Sequence, residues 1–456
     1  MRIRICVVVL LSMSMCLQSR AFSQGQREIV GYGKGRLVSQ PVNVVSSVPE
    51  AAAYLSGVSE LEQIPEEEME KWWDLAEHPV PINLVGRNVL EASGLMSMYQ
   101  IVSLLDYRAR SGDVLSISEL GAVDGFGKET AEALRWFISL ESHSLPGKSS
   151  DYRTPVRNLL TINESNKLSI PFDGKSPDYS WSHYEKFRTG AEGRWSAGLS
   201  LKRTYSDDVP WPSAYTVHGA YFGRRHLSRL VVGDYSLRFG QGLALWSGFA
   251  MTGVSGPRSF WKRPTGISPS MSASSSSSLR GAAAELDYGR FGISVFLGSP
   301  GFRDWCENSS KLQLDLLPGI NAAWFFRHGQ VSLTALCNLK NAKSMGKANA
   351  GMEVFRVGDK VVLPLTKVSA DARFCIRGVE IFGEAAMDIC NVKPALTGGF
   401  MFPAGEWKLA LAGRYIPSEY DLSFTAPVRA FSGKGGEHGA AAGISFKSYD
   451  LTVDYA

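Results

Sequence analysis

Beyond its first two dozen residues this chain has no unbroken run of roughly eighteen apolar residues, so it offers no helix able to cross a bilayer. Any passage through a membrane must be made by strands. No sign of charge dominates either: the formal net charge is +4 over 456 residues, too small to mark a polyanion partner by itself. Cysteine is scarce. Of the 6 present, Cys6 and Cys16 fall in the leader, and Cys306, Cys337, Cys375 and Cys390 show no CxxC spacing, which excludes a zinc or redox motif of that kind. Strand alternation places Cys337 with Val331, Leu333 and Ala335 on an apolar face and Cys375 with Asp371 and Arg373 on a polar one, so no disulfide joins them. Cys306, in a loop, is the one positioned for reactivity.

The signatures of catalysis are missing as well. His78, His143, His218 and His438 are scattered without HExxH spacing. Gly125–Thr130 carries Glu129 after its lysine where a phosphate-binding loop needs Ser or Thr, and Gly31–Gly35 lacks both a preceding strand and the third glycine of a dinucleotide site. Asp207 and Asp208 sit in a loop without an identifiable partner group. The sequence supplies no catalytic residue, no metal ligand and no cofactor site, and it reads as a non-enzyme.

At the N-terminus, Arg2 and Arg4 precede the apolar run Ile5–Leu11, and Ala21-Phe22-Ser23 offers small residues where a signal peptidase reads. Residues 1–23 are therefore expected to be a cleaved signal peptide. Met15 is too large for the position before a lipidated cysteine, which argues against Cys16 as an anchor. Residues 24–62 lack periodicity and read as a flexible lead. Pro65–Glu77 reads as a helix, with acids in its first turn and Trp72 and Trp73 docking on the glycine-hinged helices C-terminal to it. Residues 63–145 form a helical domain, and 146–178, rich in Ser, Pro, Lys and Asp, a linker.

Residues 179–456 repeat one theme of alternating segments and turns. Trp407, Leu409, Leu411 and Tyr415 alternate with Lys408, Ala410, Ala412 and Arg414, and Tyr449, Leu451, Val453 and Tyr455 alternate with Asp450, Thr452 and Asp454. Aromatic residues make up 11% and glycines number 46, which suits a β-rich chain with many turns. Short turns at 289–290, 328–330, 377–378, 404–406 and 447–448 differ from the long connections 247–278, 299–319 and 416–436, as the two ends of an outer-membrane barrel do. Trp324, Trp407, Tyr415, Tyr449 and Tyr455 near segment ends match its aromatic girdles, and Arg373, Arg377, Glu380, Glu384 and Asp388 suit a wet lumen. The expected fold is a small helical domain followed by a large antiparallel transmembrane-type β-barrel of roughly 14–16 strands facing outer-membrane lipid. A soluble sandwich is the competing fold. The last strand stops at Ala456 without a terminal aromatic residue, which leaves an incomplete C-terminus open.

Within the helical domain, Ser93-Gly94-Leu95-Met96 and Asp124-Gly125-Phe126-Gly127-Lys128 each sit between segments of helical apolar spacing. With Pro81–Leu84, Leu90–Ala92, Ile101, Leu104–Arg108, Gly112 and Ser116–Leu120, this stretch resembles the tandem helix-hairpin-helix module of bacterial competence DNA receptors. The resemblance implies sequence-independent phosphate binding by Gly94, Leu95, Gly125, Phe126, Gly127 and Lys128, assisted by Arg108 and Arg110. Met96 departs from the pattern where a second glycine belongs, and the module is net acidic over residues 81–140. A second stretch, Gly233–Phe249, resembles exported Bacteroidetes-type proteins that pair a helix-hairpin-helix region with a C-terminal barrel. It implies an architecture and no activity.

The expected function is DNA binding at the envelope, in DNA uptake, by a periplasmic module tethered to an outer-membrane barrel. Two alternatives stand beside it. Net acidity suits docking of a periplasmic protein, and a charged lumen with Arg258, Lys262 and Arg263 ahead of the serine tract 272–278 suits a pore with a basic lip.

Overall fold

The computed structural model describes residues 45, 47–57, 64, 66–142, 156–169, 178–204, 212, 214–223, 225–247, 257–272, 278–299, 316–338, 356–357, 360–361, 366–376, 378–404, 407–430, 436–446 and 449–456. The expected signal peptide, residues 24–44 of the lead, Cys306, His143, Asp207 and Asp208 lie outside the described residues.

Among the described residues the N-terminal part holds six helices: α1 (Val48–Ser56) in the lead, then α2 (Glu66–Glu77), α3 (Arg87–Ser93), α4 (Met98–Ser111), α5 (Ile117–Ala122) and α6 (Gly127–Leu134) in the helical domain. Local chemistry explains their ends. The Glu50 N–H donates to the Ser47 hydroxyl at the start of α1, and Ser97 and Gln100 form a reciprocal capping box at the start of α4. Gln100 does more than cap, because its Nε2 also donates to the Gly125 carbonyl at 2.8 Å, tying one hairpin to the other. Gly125 has φ +86, and a Cβ there would stand 2.5 Å from Tyr99 Cε1, so that hairpin needs glycine. Strands β1 (Val80–Pro81) and β2 (Ile138–Ser139) pair in parallel and close the domain around its own apolar cluster, which includes Ile82, Leu90, Leu104, Phe126 and Phe137. Trp72 packs against Phe137 with ring centroids 4.9 Å apart, while Trp73 is exposed, so only one of the paired tryptophans docks as expected.

The remaining strands are β3 (Val156–Ser169), β4 (Asp178–Ala191), β5 (Trp195–Thr204), β6 (Ala214–Phe222), β7 (Leu227–Arg238), β8 (Gly266–Pro269), β9 (Leu279–Asp287), β10 (Phe291–Ser299), β11 (Leu317–Phe326), β12 (Gly329–Leu336), β13 (Arg356–Val357), β14 (Lys360–Val361), β15 (Lys367–Ile376), β16 (Val379–Asp388), β17 (Lys393–Ala404), β18 (Trp407–Ile416), β19 (Glu437–Phe446) and β20 (Tyr449–Tyr455). Apart from the β13–β14 hairpin they form one 16-stranded sheet, antiparallel throughout, running from β3 to β20 with β8 set beside β7. Among the described residues no pairing joins β3 to β20.

Two sequence readings are corrected here. The segment 146–178, read as a linker, contains β3, which pairs along its whole length with β4. An edge strand meets one neighbour only, so its polarity need not alternate strictly, and Leu159-Leu160 breaks the period. The lead 24–62 likewise holds α1, whose Ala51, Ala52, Ala53 and Leu55 are buried.

The sheet's two faces differ as the alternation requires. Register lines up Ile381, Phe400, Leu411, Ala442 and Val453 across five strands, and the four large residues of that row are exposed. Such a continuous outward apolar belt far exceeds what a soluble surface carries. Trp195, Tyr221, Phe291, Trp324 and Trp407 are exposed along the rim of the short turns, with Phe291 stacked on Trp324 and Trp407 stacked on Phe446. On the opposite face Asn321, Thr334, Ser332, Asp371, Glu384 and Arg414 are buried. Of the residues read as lining a wet lumen, Arg373, Glu384 and Asp388 are buried, which corrects that expectation at those three.

Candidate functional site

The inward face is covered from two directions. After β7 the chain turns inward at Gly240 and Gly242, with φ +57 and +84, and the N–H groups of Gln241, Leu243 and Ala244 converge on the Glu384 carboxylate of β16 at 2.6, 3.0 and 3.0 Å. A Cβ on Gly240 would stand 2.6 Å from Glu384 Oε2, so the turn requires glycine. The segment 417–430 locks onto this loop: Tyr420 donates to the Leu243 carbonyl at 3.0 Å, the Trp246 N–H to the Phe424 carbonyl at 2.7 Å and the Ala426 N–H to the Gly242 carbonyl at 3.0 Å. Strands β7 and β16 are far apart along the sheet, so a loop shared between them requires the sheet to wrap around it. The loops partly fill the lumen toward the long-connection end.

The helical domain occupies the other end. It meets the short turns at Asn88, which donates to the Gly193 carbonyl, at Tyr99, which donates to the Arg327 carbonyl at 3.3 Å, and at Asp124, 3.6 Å from His328. Its acids meet the bases of the strands. Glu70 lies 2.9 Å from Lys186, Asp74 pairs with Arg188, Glu68 lies 3.9 Å from Arg238 and Glu129 lies 2.6 Å from Lys408. Glu70 and Asp74 are four residues apart on α2 and so share a face, and Lys186 and Arg188 are two apart on β4 and so share the inward face. Arg87 bridges Glu91 of its own helix and Asp287 of β9, each at 2.5 Å, while Arg229 Nη2 donates to the Glu91 carbonyl at 3.0 Å.

Between the helical domain and the loops lies a chamber of about 1480 Å³. The helical domain contributes Glu68, Lys71, Asp74, Glu91, Lys128 and Glu129 to it, and the strands and loops contribute Arg157, Lys186, Arg188, Arg229, Arg238, Lys262, Arg263 and Lys408 against Glu192 and Glu380, so its wall is richer in bases than in acids.

The sequence-derived phosphate ligands are only partly brought together. Gly94, Phe126, Gly127 and Lys128 border the chamber. Arg108 does not serve as a phosphate ligand, because its guanidinium donates to the Val85 and Asn83 carbonyls at 2.8 and 2.6 Å and braces the domain. Burial holds that guanidinium below its usual range. Arg110 pairs with Asp106 at 2.5 Å. In the first hairpin the Gly94 N–H donates to the Glu91 carbonyl at 3.3 Å and the Leu95 N–H to the Ser93 hydroxyl at 3.3 Å, so neither is left for an anion. The Phe126 N–H donates to the Val123 carbonyl at 3.2 Å, and the Gly125 carbonyl accepts from Gln100. Gly127 and Lys128 open α6, with Lys128 exposed. The residues that sequence reasoning missed are Glu68, Glu70, Asp74 and Glu129 as docking groups. The net acidity of residues 81–140 was a signal for Glu129, whose target lies elsewhere in the same chain, while Glu68, Glu70 and Asp74 on α2 lie outside that range. Cys337, Cys375 and Cys390 are free thiols.

The fold and its filled lumen define a class: a transmembrane-type β-barrel with a helical domain seated in one end and inward loops in the other. No described protein family matches the sequence, and no curated protein matches it. Among solved structures the chain is similar to mutants of the Rhodopseudomonas blastica porin. A triple mutant shows 9% identity and TM-score 0.29 over 64% of this chain and 93% of that one. A structure titled for asymmetric conductivity of engineered proteins shows 9% and 0.30 over 65% and 93%. At these scores the likeness bears on neither mechanism nor ligand.

Proposed function

We propose that this chain is an outer-membrane pore held closed, with the helical domain as a plug in the periplasmic mouth and the loops as a fixed constriction beyond it. The signal-peptide pattern and the short turns support that orientation, since such barrels keep short turns on the periplasmic side. The observation that carries the reading is the match between the acids Glu68, Glu70, Asp74 and Glu129 and the bases Arg238, Lys186, Arg188 and Lys408. Each partly exposed pair stabilises by about 0.2–1 kcal/mol, so four together hold the plug by roughly 1–4 kcal/mol. The Arg87–Asp287 pair and the Asn88–Gly193, Tyr99–Arg327 and Arg229–Glu91 bonds add to these four, and the charged pairs are the part of the hold that salt and charge reversal can release.

Planar-bilayer recording of the full chain tests this. The unaltered protein is expected to stay mostly closed, and the variant Glu70→Lys, Asp74→Lys, Glu129→Lys to conduct steadily. Equal, open conductance of the two proteins would overturn the plug.

A second reading keeps DNA as the ligand, because Gly127 and Lys128 of the second hairpin border one chamber. Pockets of about 300–1,000 Å³ enclose drug-sized ligands, so this chamber suits a few nucleotides of single strand and no duplex. Fluorescence anisotropy of a short single strand against the full chain is expected to show binding that weakens steeply with salt and is lost in Lys128→Glu. Unchanged affinity in that variant would remove DNA from the account.

A further inference from the structure

Where the inward loop meets the chamber, four cationic side chains come together: Arg238 at the end of β7, Lys262 and Arg263 in the loop, and Arg373 on β15. Arg238 and Lys262 lie 6.0 and 4.9 Å from the centre of the Trp246 indole, and Arg373 lies 4.2 Å over Trp261. Stacking on aromatic rings and the 3.1 Å contact with Glu380 account for Arg373. They do not account for the rest of the cluster. Arg238 reaches Glu68 only at 3.9 Å, beyond hydrogen-bond length, and its Nε–H is buried without an acceptor. The Nε1–H of Trp246, a residue 7% exposed on the chamber wall, also lacks an acceptor. Lys262 Nζ donates to the Ala426 carbonyl, a neutral acceptor, and no carboxylate forms an ion pair with it among the described residues. The loop that carries Lys262 and Arg263 is held rigidly, since Lys262 exchanges backbone bonds with the Gln241 side chain at 2.8 and 3.3 Å.

The electrostatics agree with the geometry. Burial, with the neighbouring positive charges of Arg373 and Arg238, pushes the Arg263 guanidinium down to about 10. Burial and Arg238 push the Lys262 ammonium down to about 7. Like charges gathered in a low-dielectric corner beside unfilled donors are what a bound anion relieves.

We propose that this corner is a binding site for the oxyanion group of a small solute, held by Arg238, Lys262 and Arg263 with the Trp246 indole N–H as a neutral donor. Guanidinium forks match the paired oxygens of phosphate or carboxylate, and the Trp246 and Trp261 rings wall the space beside them for the rest of the solute. The site stands on its own geometry, independent of whether the plug opens.

Isothermal titration calorimetry of the full chain in detergent micelles tests it, with sodium phosphate, sodium acetate and sodium chloride as titrants at matched ionic strength. Saturable heat from phosphate or acetate beyond that from chloride is expected, and the stronger of the two identifies the oxyanion. Affinity is expected to fall at least tenfold in Arg263→Gln and severalfold in Trp246→Phe, and to stay unchanged in Lys393→Gln on the exposed end of β17. No saturable heat beyond chloride in the unaltered protein would overturn the site, as would equal affinity in a folded Trp246→Phe and Arg263→Gln. Because no membrane is involved, failure here leaves the plug standing, and a conductance failure leaves the site standing.

Discussion

At the long-connection end the lumen is partly filled by backbone: the N–H groups of residues 241, 243 and 244 donate to the single buried carboxylate of Glu384. At the short-turn end it is filled by a separate helical domain, held through side-chain ion pairs such as Glu70–Lys186 and Asp74–Arg188 whose acids are about a third exposed. The first arrangement makes charge-assisted bonds out of reach of solvent and salt, so it belongs to the fold. The second is screened by salt and competes with water, so it can be released. Under the proposed function, a barrel narrowed by the first and closed by the second has one permanent constriction and one removable plug.

The largest expected effect therefore falls at Glu384. Glu384→Ala leaves three buried donors unsatisfied, each costing about 1–3 kcal/mol, so equilibrium unfolding in urea is expected to show a loss of roughly 3–9 kcal/mol. A loss below about 1 kcal/mol would erase the distinction between the two ends.

Next comes pH. The Lys262 ammonium, in the same inward loop, is pushed down to about 7 by burial and Arg238, against an opposing pull from Glu384. The unfolded chain binds that proton more tightly between pH 7 and the ordinary lysine range, so stability rises with pH across that window, by up to about 1.4 kcal/mol per unit. Denaturation at pH 7 and pH 9 is expected to show this rise in the unaltered protein and not in Lys262→Met.

Smaller still are the effects at the plug. Raising salt from about 0.1 M to about 1 M shortens the screening length from roughly 10 Å to 3 Å. Hydrogen exchange is then expected to speed up at the amides of Lys71–Leu75 while those of residues 241–244 stay protected. Equal acceleration at both would contradict the account. The smallest effect is a single pair: a double-mutant cycle of Glu70→Gln with Lys186→Gln is expected to give a coupling of about 0.5–1 kcal/mol.

Much of this architecture was legible in the sequence. The alternation of Trp407–Tyr415 appears as exposed Trp407, Leu409, Leu411 and Tyr415 beside buried Ala410 and Arg414, and the alternation of short and long connections gives the two ends. Strand β3 was hidden because an edge strand answers to one neighbour only. Glu384 was legible as inward-facing, but its acceptance of N–H groups some 140 residues earlier was not, because nothing local to Glu384 or to Gly240–Gly242 records the partnership. Arg108 illustrates the opposite failure. Its place in a hairpin pattern suggested a phosphate ligand, whereas the Asn83 and Val85 carbonyls of its own domain claim it. The acidity of the helical domain was plain in the sequence, and the basic strands that answer it only became its partner once the sheet had curled.

The most direct test of the plug is a charge swap read as single-channel current. Glu70→Lys alone and Lys186→Glu alone are each expected to raise the open probability of the full-length pore, and the double variant to restore closure. Current as high in the double variant as in either single one would contradict an ion-paired plug.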